Sequence, residues 1–232
     1  MKNLTVLFEK YGITLSKKQG ELFDLFFNLL IETNKFLNLT AITEENEVAV
    51  KHFLDSCVAE KFFDKNASVV DVGAGAGFPS IPLKITRPDL SITMVDSLLK
   101  RVNFLNEVIE KEGFEKISAC HSRAEDFCKN NRENFDIATA RAVAPLNTLV
   151  EYLLPLVKVG GKAIIYKASK LDEELEEAKN AIKILGGKVE KIETIKIDEC
   201  EGERKILIIK KIEQTPKKYP RDKNKARLSP LK

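Results

Sequence analysis

Apolar residues in the first fifty positions recur at helical spacing. Leu22, Phe23, Phe26, Phe27, Leu29 and Leu30 fall on one face, and Ser16-Lys17-Lys18-Gln19 ahead of them has the form of a capping box. This predicts a helix ending near Asn34, then a second helix carrying Val48, His52 and Leu54, so residues 1–50 read as a helical cap. From Ala67 the pattern changes to short apolar runs at 68–72, 91–95, 117–120, 135–140, 163–166, 189–197 and 205–212. Helical stretches separate them at 81–86, 98–111, 146–156 and 171–185, with Gly113 and Gly186-Gly187 where helices should stop. Strands alternating with helices predict an α/β fold: a doubly wound, mostly parallel seven-stranded sheet with helices on both faces. The last two strands follow one another across a short gap without a helix, which predicts an antiparallel hairpin at one edge. The expected division is cap 1–50, sheet domain 51–212 and tail 213–232.

One strand-to-helix junction carries chemistry. Val69-Val70-Asp71-Val72-Gly73-Ala74-Gly75-Ala76-Gly77-Phe78-Pro79 leads a buried strand into three glycines at alternate positions. Glycines let the backbone turn sharply and approach a ligand without a Cβ clash, and the carboxyl edge of a parallel sheet is the general ligand crevice of such folds. The dinucleotide fingerprint G-x-G-x-x-G/A does not fit, since Phe78 or Ser80 falls in its third place. The segment instead resembles the acidic-x-G-x-G-x-G motif of class I (Rossmann-like) S-adenosylmethionine methyltransferases. Asp71 beside the glycines suits a cofactor with a cationic amino-acid end and would repel a pyrophosphate. Asp96 ends the next strand, 19 residues after Gly77; a carboxylate there can accept both hydroxyls of a ribose or cap the following helix.

Composition narrows the partners. The chain has 232 residues, 44% hydrophobic and 31% charged, which suits one globular core with an appendage. No apolar run approaches the ~20 residues of a membrane span, and the N-terminus lacks signal-peptide features. Cys57, Cys120, Cys128 and Cys200 are scattered, so neither a zinc site nor a disulfide framework is expected. A cytoplasmic location and no membrane partner follow as expectations. The net charge of +3 is unevenly placed: from Pro216 onward, seven Lys or Arg face only Asp222, giving +6 and leaving −3 for the rest. Such a tail suits a polyanion or is a solubilising terminus.

No Cys follows a Pro, and no Asn-Pro-Pro-Tyr or Asp-Pro-Pro-Tyr is present, so the sequence lacks the devices for pyrimidine C5 or exocyclic amine methylation. A guanine N7 needs neither, because its lone pair is already available; alignment and exclusion of water then suffice. Asn38-Leu39-Thr40-Ala41-Ile42, His52-Phe53-Leu54-Asp55-Ser56, 71–82, Asp96-Ser97-Leu98-Leu99-Lys100-Arg101, Arg123-Ala124-Glu125, Thr139-Ala140-Arg141-Ala142 and 216–221 occur in order. In these motifs, which span nearly the whole chain, the sequence resembles the bacterial 16S rRNA guanine-N7 methyltransferase family, also called the glucose-inhibited division protein B or RsmG family. After Tyr219-Pro220-Arg221 that family commonly has a Gly-containing turn, where this chain has Asp222-Lys223-Asn224-Lys225.

The resemblance implies S-adenosylmethionine as methyl donor and a guanine near the decoding centre of the small ribosomal subunit as acceptor. It also implies cofactor contacts at Gly73 and Phe78, a ribose-binding segment Asp96-Ser97-Leu98, an adenine-facing loop at Ala124-Glu125, and Arg141 beside the reacting end. With Asp71, Gly75 and Gly77 these make up the expected cofactor site. Arg123 and Lys167, at strand ends, join Arg141 as candidates for the reaction. Candidate RNA contacts are His52, Lys100, Arg101, Arg123, Lys217, Lys218, Tyr219 and Arg221. For His52 a structural role competes, and for Lys100-Arg101 a solvated helix face. A monomer acting on 16S rRNA or the small subunit is expected; the alternatives are a methyltransferase for another RNA or a small molecule, and an RNA-binding protein that has lost catalysis.

Overall fold

A computed structural model describes residues 1, 3–168, 170–200 and 203–231. The cap opens with α1 (Leu4–Glu9) and α2 (Lys17–Leu37). The capping box forms: the Gln19 amide donates to Ser16 Oγ at 3.3 Å, and the Ser16 amide donates to Gln19 Oε1 at 2.8 Å. α2 ends at Asn38, whose backbone is left-handed. The next helical run is compound, with α3 (Glu45–Val48), a π-helical turn (Ala49–Leu54) and α4 (Asp55–Cys57). It passes unbroken through residue 50.

The strands are β1 (Ser68–Val72), β2 (Ser91–Asp96), β3 (Ile117–His121), β4 (Phe135–Arg141), β5 (Val157–Lys167), β6 (Gly187–Lys196) and β7 (Glu203–Lys211). The helices after α4 are α5 (Ser80–Thr86), α6 (Leu99–Glu112), α7 (Ala124–Asn131), α8 (Leu146–Leu153), α9 (Leu171–Ile184) and α10 (Lys225–Leu228). Sheet order is β3-β2-β1-β4-β5-β7-β6. β7 runs antiparallel to both of its neighbours, so the expected hairpin is present with β6 at the edge.

Adjacent residues of a strand face opposite ways, and each face has its own core. Val69, Ile137 and Ile164 pack with the cap and with residues of α5 and α6. Val70, Ala138 and Ile165 pack with residues of α7, α8 and α9. Two elements depart from expectation. Ala124-Glu125, expected in a loop, open α7. β5 begins at Val157, six residues before the apolar run at 163–166, with Gly160-Gly161 inside the strand; a Cβ on Gly161 would stand 2.5 Å from the Asp136 carbonyl oxygen.

The largest correction concerns the tail. Residues 213–231 form a strap across the α7–α8 side; Lys232 lies outside the described residues. Tyr219 and Ala226 are buried in the second core, so Tyr219 has no free face for a base. Arg221, expected on RNA, is bound instead by the fully buried Glu151, with Nε 2.9 Å from Oε1 and Nη2 2.7 Å from Oε2. Arg132 donates to the carbonyls of Thr215, Pro216 and Tyr219. Lys217 and Lys218 remain exposed. No helix among the described residues is long and apolar enough to cross a membrane.

Candidate active site

The carboxyl ends of β1 to β4 open into a cavity of about 540 Å³. Gly73 leaves β1 with its amide 2.7 Å from the Val95 carbonyl. Beside it, Asp96 is 3% exposed, and its carboxylate ties two elements together. Oδ2 accepts from the Gly75 amide and Oδ1 from the Leu98 amide, both at 2.9 Å, and Arg101 Nη1 stands 3.5 Å from Oδ2. Asp96 therefore anchors the start of α6 and lines the cavity at once; the two readings are compatible. Ser97, Ala124 and Glu125, expected at the cofactor, also line this cavity, and so do Arg101 and Arg123, expected to meet RNA.

The three glycines have different physical reasons. Gly75 has φ +59°, and a Cβ there would meet only the Gly73 carbonyl oxygen at 3.9 Å. The backbone thus stands open for a ligand to approach. Gly77 is a packing glycine, since its Cβ would lie 2.7 Å from Ile81 Cγ1 and 3.1 Å from Leu105 Cδ2. Gly73 faces Val143, whose Cγ2 is 2.8 Å from the corresponding point.

Asp71 lies beneath the loop, fully buried. Its Oδ2 accepts from Ser80 Oγ at 2.7 Å, while Oδ1 has no partner. Burial pushes its carboxyl up to about 7. An unpartnered buried acceptor under an open glycine loop fits the cationic end of S-adenosylmethionine, and the cavity beyond Asp96 fits its nucleoside. Because the folded carboxyl holds its proton more tightly than an unfolded one at 3.8, folding loses stability as pH rises from about 4 through about 7. Asp71→Asn is expected to remove that slope. Its stability relative to wild type should rise by up to about 4 kcal/mol between pH 4 and pH 8. Urea unfolding at both pH values checks this, and an equal difference at both would refute it.

Several expected contacts lie elsewhere. Phe78 does not line the cavity; its buried ring turns toward the cap. It stacks on His52 at 4.5 Å between centroids, and Arg141 Cζ stands 5.0 Å from its centre. His52 is half-buried, its ring packed on Phe78 beside Arg141 and Thr40, which fits the structural role that competed with an RNA contact. Burial and Arg141 lower it to about 4, so the ring is neutral at neutral pH. Arg141 Nη2 lies 3.4 Å from Nδ1, and Nε2 lies 2.7 Å from Thr40 Oγ1. Leu98 offers its amide to Asp96, and its exposed side chain stays outside the cavity.

Arg141 lines a second, smaller cavity of about 220 Å³ with Asp55, Tyr166, Lys167 and Arg204, at the ends of β4 and β5. Asp55 is the hub. Its Oδ2 accepts from Arg141 Nη1 at 2.8 Å and its Oδ1 from Arg204 Nε at 2.7 Å. Lys167, a candidate for the reaction, has its ammonium engaged by Glu174 at 2.6 Å and the Ala144 carbonyl at 2.9 Å. It ties the loop after β4 to α9 while lining the smaller cavity. Ala142 borders both cavities with φ 56°, a left-handed backbone that costs a non-glycine residue about 1 kcal/mol or more.

The sequence reading missed Asp55 and Arg204 as site residues, and Asn224 and Arg227 of the strap, which line the larger cavity. Asp55 stood inside a quoted motif, but its two partners are far away in sequence.

Residues 19–207 match the family model described as GidB, rRNA small subunit methyltransferase G. A protein of Lactobacillus acidophilus named ribosomal RNA small subunit methyltransferase G is 49% identical, covering 96% of this chain and 95% of that protein. One of the same name in Bacillus cytotoxicus is 52% identical over 90% of each. Among solved structures, a SAM-dependent methyltransferase from Aquifex aeolicus aligns with TM-score 0.54 at 16% identity, covering 74% of this chain and 96% of that one. M. jannaschii TYW2 in complex with AdoMet aligns with TM-score 0.54 at 17% identity, covering 67% and 72%. These two likenesses speak for the fold.

Proposed function

The chain belongs to the GidB family, rRNA small subunit methyltransferase G, and from that premise we propose that it methylates N7 of a guanine in 16S rRNA, near the decoding centre, using S-adenosylmethionine. The observation that carries this reading is the meeting of two cavities at Ala142, one suited to the cofactor and one to the base. When bound, the cofactor supplies an electrophilic methyl on a sulfonium. Asp71 and the Gly73–Gly75 backbone face its amino-acid end, Asp96 its ribose, and Ala124 with Glu125 its adenine.

The smaller cavity is built without a free base. Asp55 is held by two guanidinium groups, Lys167 by Glu174, and Tyr166 donates to the Ser56 carbonyl at 2.7 Å, with burial raising its phenol well above 10. A guanine N7 has no proton to lose, so fixed cations that orient the base and a wall that excludes water suit it. An exocyclic amine would need a proton acceptor. Arg141 and Arg204 can donate to guanine O6. Arg101 and Arg123, which line the larger cavity, and Lys100 beside them offer positive charge to RNA phosphates; Lys217 and Lys218 follow Pro216, held by Arg132 near the amino-terminal end of β4, away from both cavities. The reading makes the protein a cytoplasmic monomer, with cap 1–50, catalytic domain 51–212 and strap 213–232, and 16S rRNA or the small subunit as substrate.

Mapping modified nucleotides in cells with and without the gene tests it. One 7-methylguanine of 16S rRNA is expected to disappear on deletion and return with the gene. A lost methyl in another RNA, or in no RNA, would point to the other-RNA or small-molecule alternative.

A further inference from the structure

We propose that the C-terminal strap is part of the cofactor site, with Asn224 and Arg227 contacting the adenosine end of S-adenosylmethionine. This rests on the assignment of the larger cavity to the cofactor. Both residues line that cavity beside Arg123, Ala124 and Glu125, across from Asp96. Nothing in the glycine motif or its acidic partner supplies this wall.

The strap is built into the cavity. The Asn224 amide lies 3.3 Å from Glu125 Oε1, and its side-chain Oδ1 accepts from Arg123 Nη1 at 2.8 Å. Asn224 thereby joins two residues of the cavity wall, and its left-handed backbone (φ 58°) starts α10, which carries Arg227. Anchors lie on both sides. Upstream, Arg221 is clamped by Glu151; downstream, Thr148 Oγ1 donates to the carbonyl of fully buried Ala226 at 3.1 Å. The strap face toward the cavity is thus fixed before any ligand arrives. A planar guanidinium can lie on a purine face or donate to its ring nitrogens, and a side-chain amide both donates and accepts, as an adenine edge requires.

The test measures binding of S-adenosylmethionine and of 5′-methylthioadenosine, which keeps the adenosine but lacks the amino-acid end, to Arg227→Ala and Asn224→Ala proteins. Asp96→Ala serves as reference, and apo-protein melting is followed alongside. Arg227→Ala is expected to weaken both ligands about tenfold with the apo melting temperature unchanged. Unchanged affinity in both strap variants, beside a clear loss in Asp96→Ala, overturns the strap assignment alone. A loss for S-adenosylmethionine but not for methylthioadenosine overturns it too, since the contact would then lie at the other end. So does a loss that only tracks a fall in apo melting temperature. Unchanged affinity in Asp96→Ala as well would mean that the cavity itself has been misassigned.

Discussion

Gly75→Val is expected to weaken S-adenosylmethionine binding more than about 100-fold while the protein stays folded. Gly75 sits at φ +59° with its amide on Asp96. A β-branched residue there carries about 1–2 kcal/mol of backbone strain, which shifts the loop off Asp96. Its side chain also fills the space through which a ligand reaches the backbone. Because that space is empty of protein, packing does not suffer. Gly77→Val is expected to fail in the opposite way, since Ile81 and Leu105 already occupy the position of its side chain. Overpacking of this kind costs about 1–3 kcal/mol or more. Calorimetric binding and thermal melting of the two variants separate the roles. Normal binding by Gly75→Val, or unfolding of both variants alike, would refute the division.

Asp55→Ala is expected to lower the melting temperature and to remove methyl transfer even in the fraction that stays folded. Asp55 is 7% exposed and is the carboxylate for both Arg141 and Arg204. Removing it leaves two largely buried cations facing one another. Loss of one partner from a buried pair costs about 3–5 kcal/mol. The partial exposure of both arginines favours the lower end, which corresponds to a fall of about 6–12 °C. With its anion gone, Arg141 also loses what holds it between the Phe78 ring and the smaller cavity. Asp55→Asn, which keeps the acceptor for one arginine, is expected to recover part of the stability but not the activity. A stable, active Asp55→Ala enzyme would refute the hub.

The glycine loop, Asp96 and the sheet were legible in the sequence because each rests on local rules: apolar runs of strand length, glycines at alternate positions, an acid at a strand end. What failed was long-range. α7 buries only Glu125, Phe127 and Cys128 in its eight residues, too few for a helical period to register. The position of Phe78 depended on the cap folding over it, and the three rings beside it, Phe26, His52 and Phe53, come from two helical segments. The strap was misread because its charges outnumber its anchors. A sign was present, however: Glu151 interrupts an otherwise apolar run in α8, and a buried acid needs a partner. Tyr219 and Ala226, apolar among lysines, were the other half of that sign.

The place of β7 between β5 and β6 bears on how the chain is made. The edge of β5, whose residues Ala163, Ile164 and Ile165 are fully buried in the finished fold, is closed only by β7, and 44 residues separate Lys167 at the end of β5 from Lys211 at the end of β7. At roughly 5–20 residues per second, a ribosome takes about two to nine seconds to supply them. During that interval the nascent chain carries an apolar strand with one bare edge, a template for pairing with a neighbouring chain. Crowded polysomes are therefore where this protein is most exposed to aggregation, and rare codons between residues 168 and 211 would lengthen the exposure.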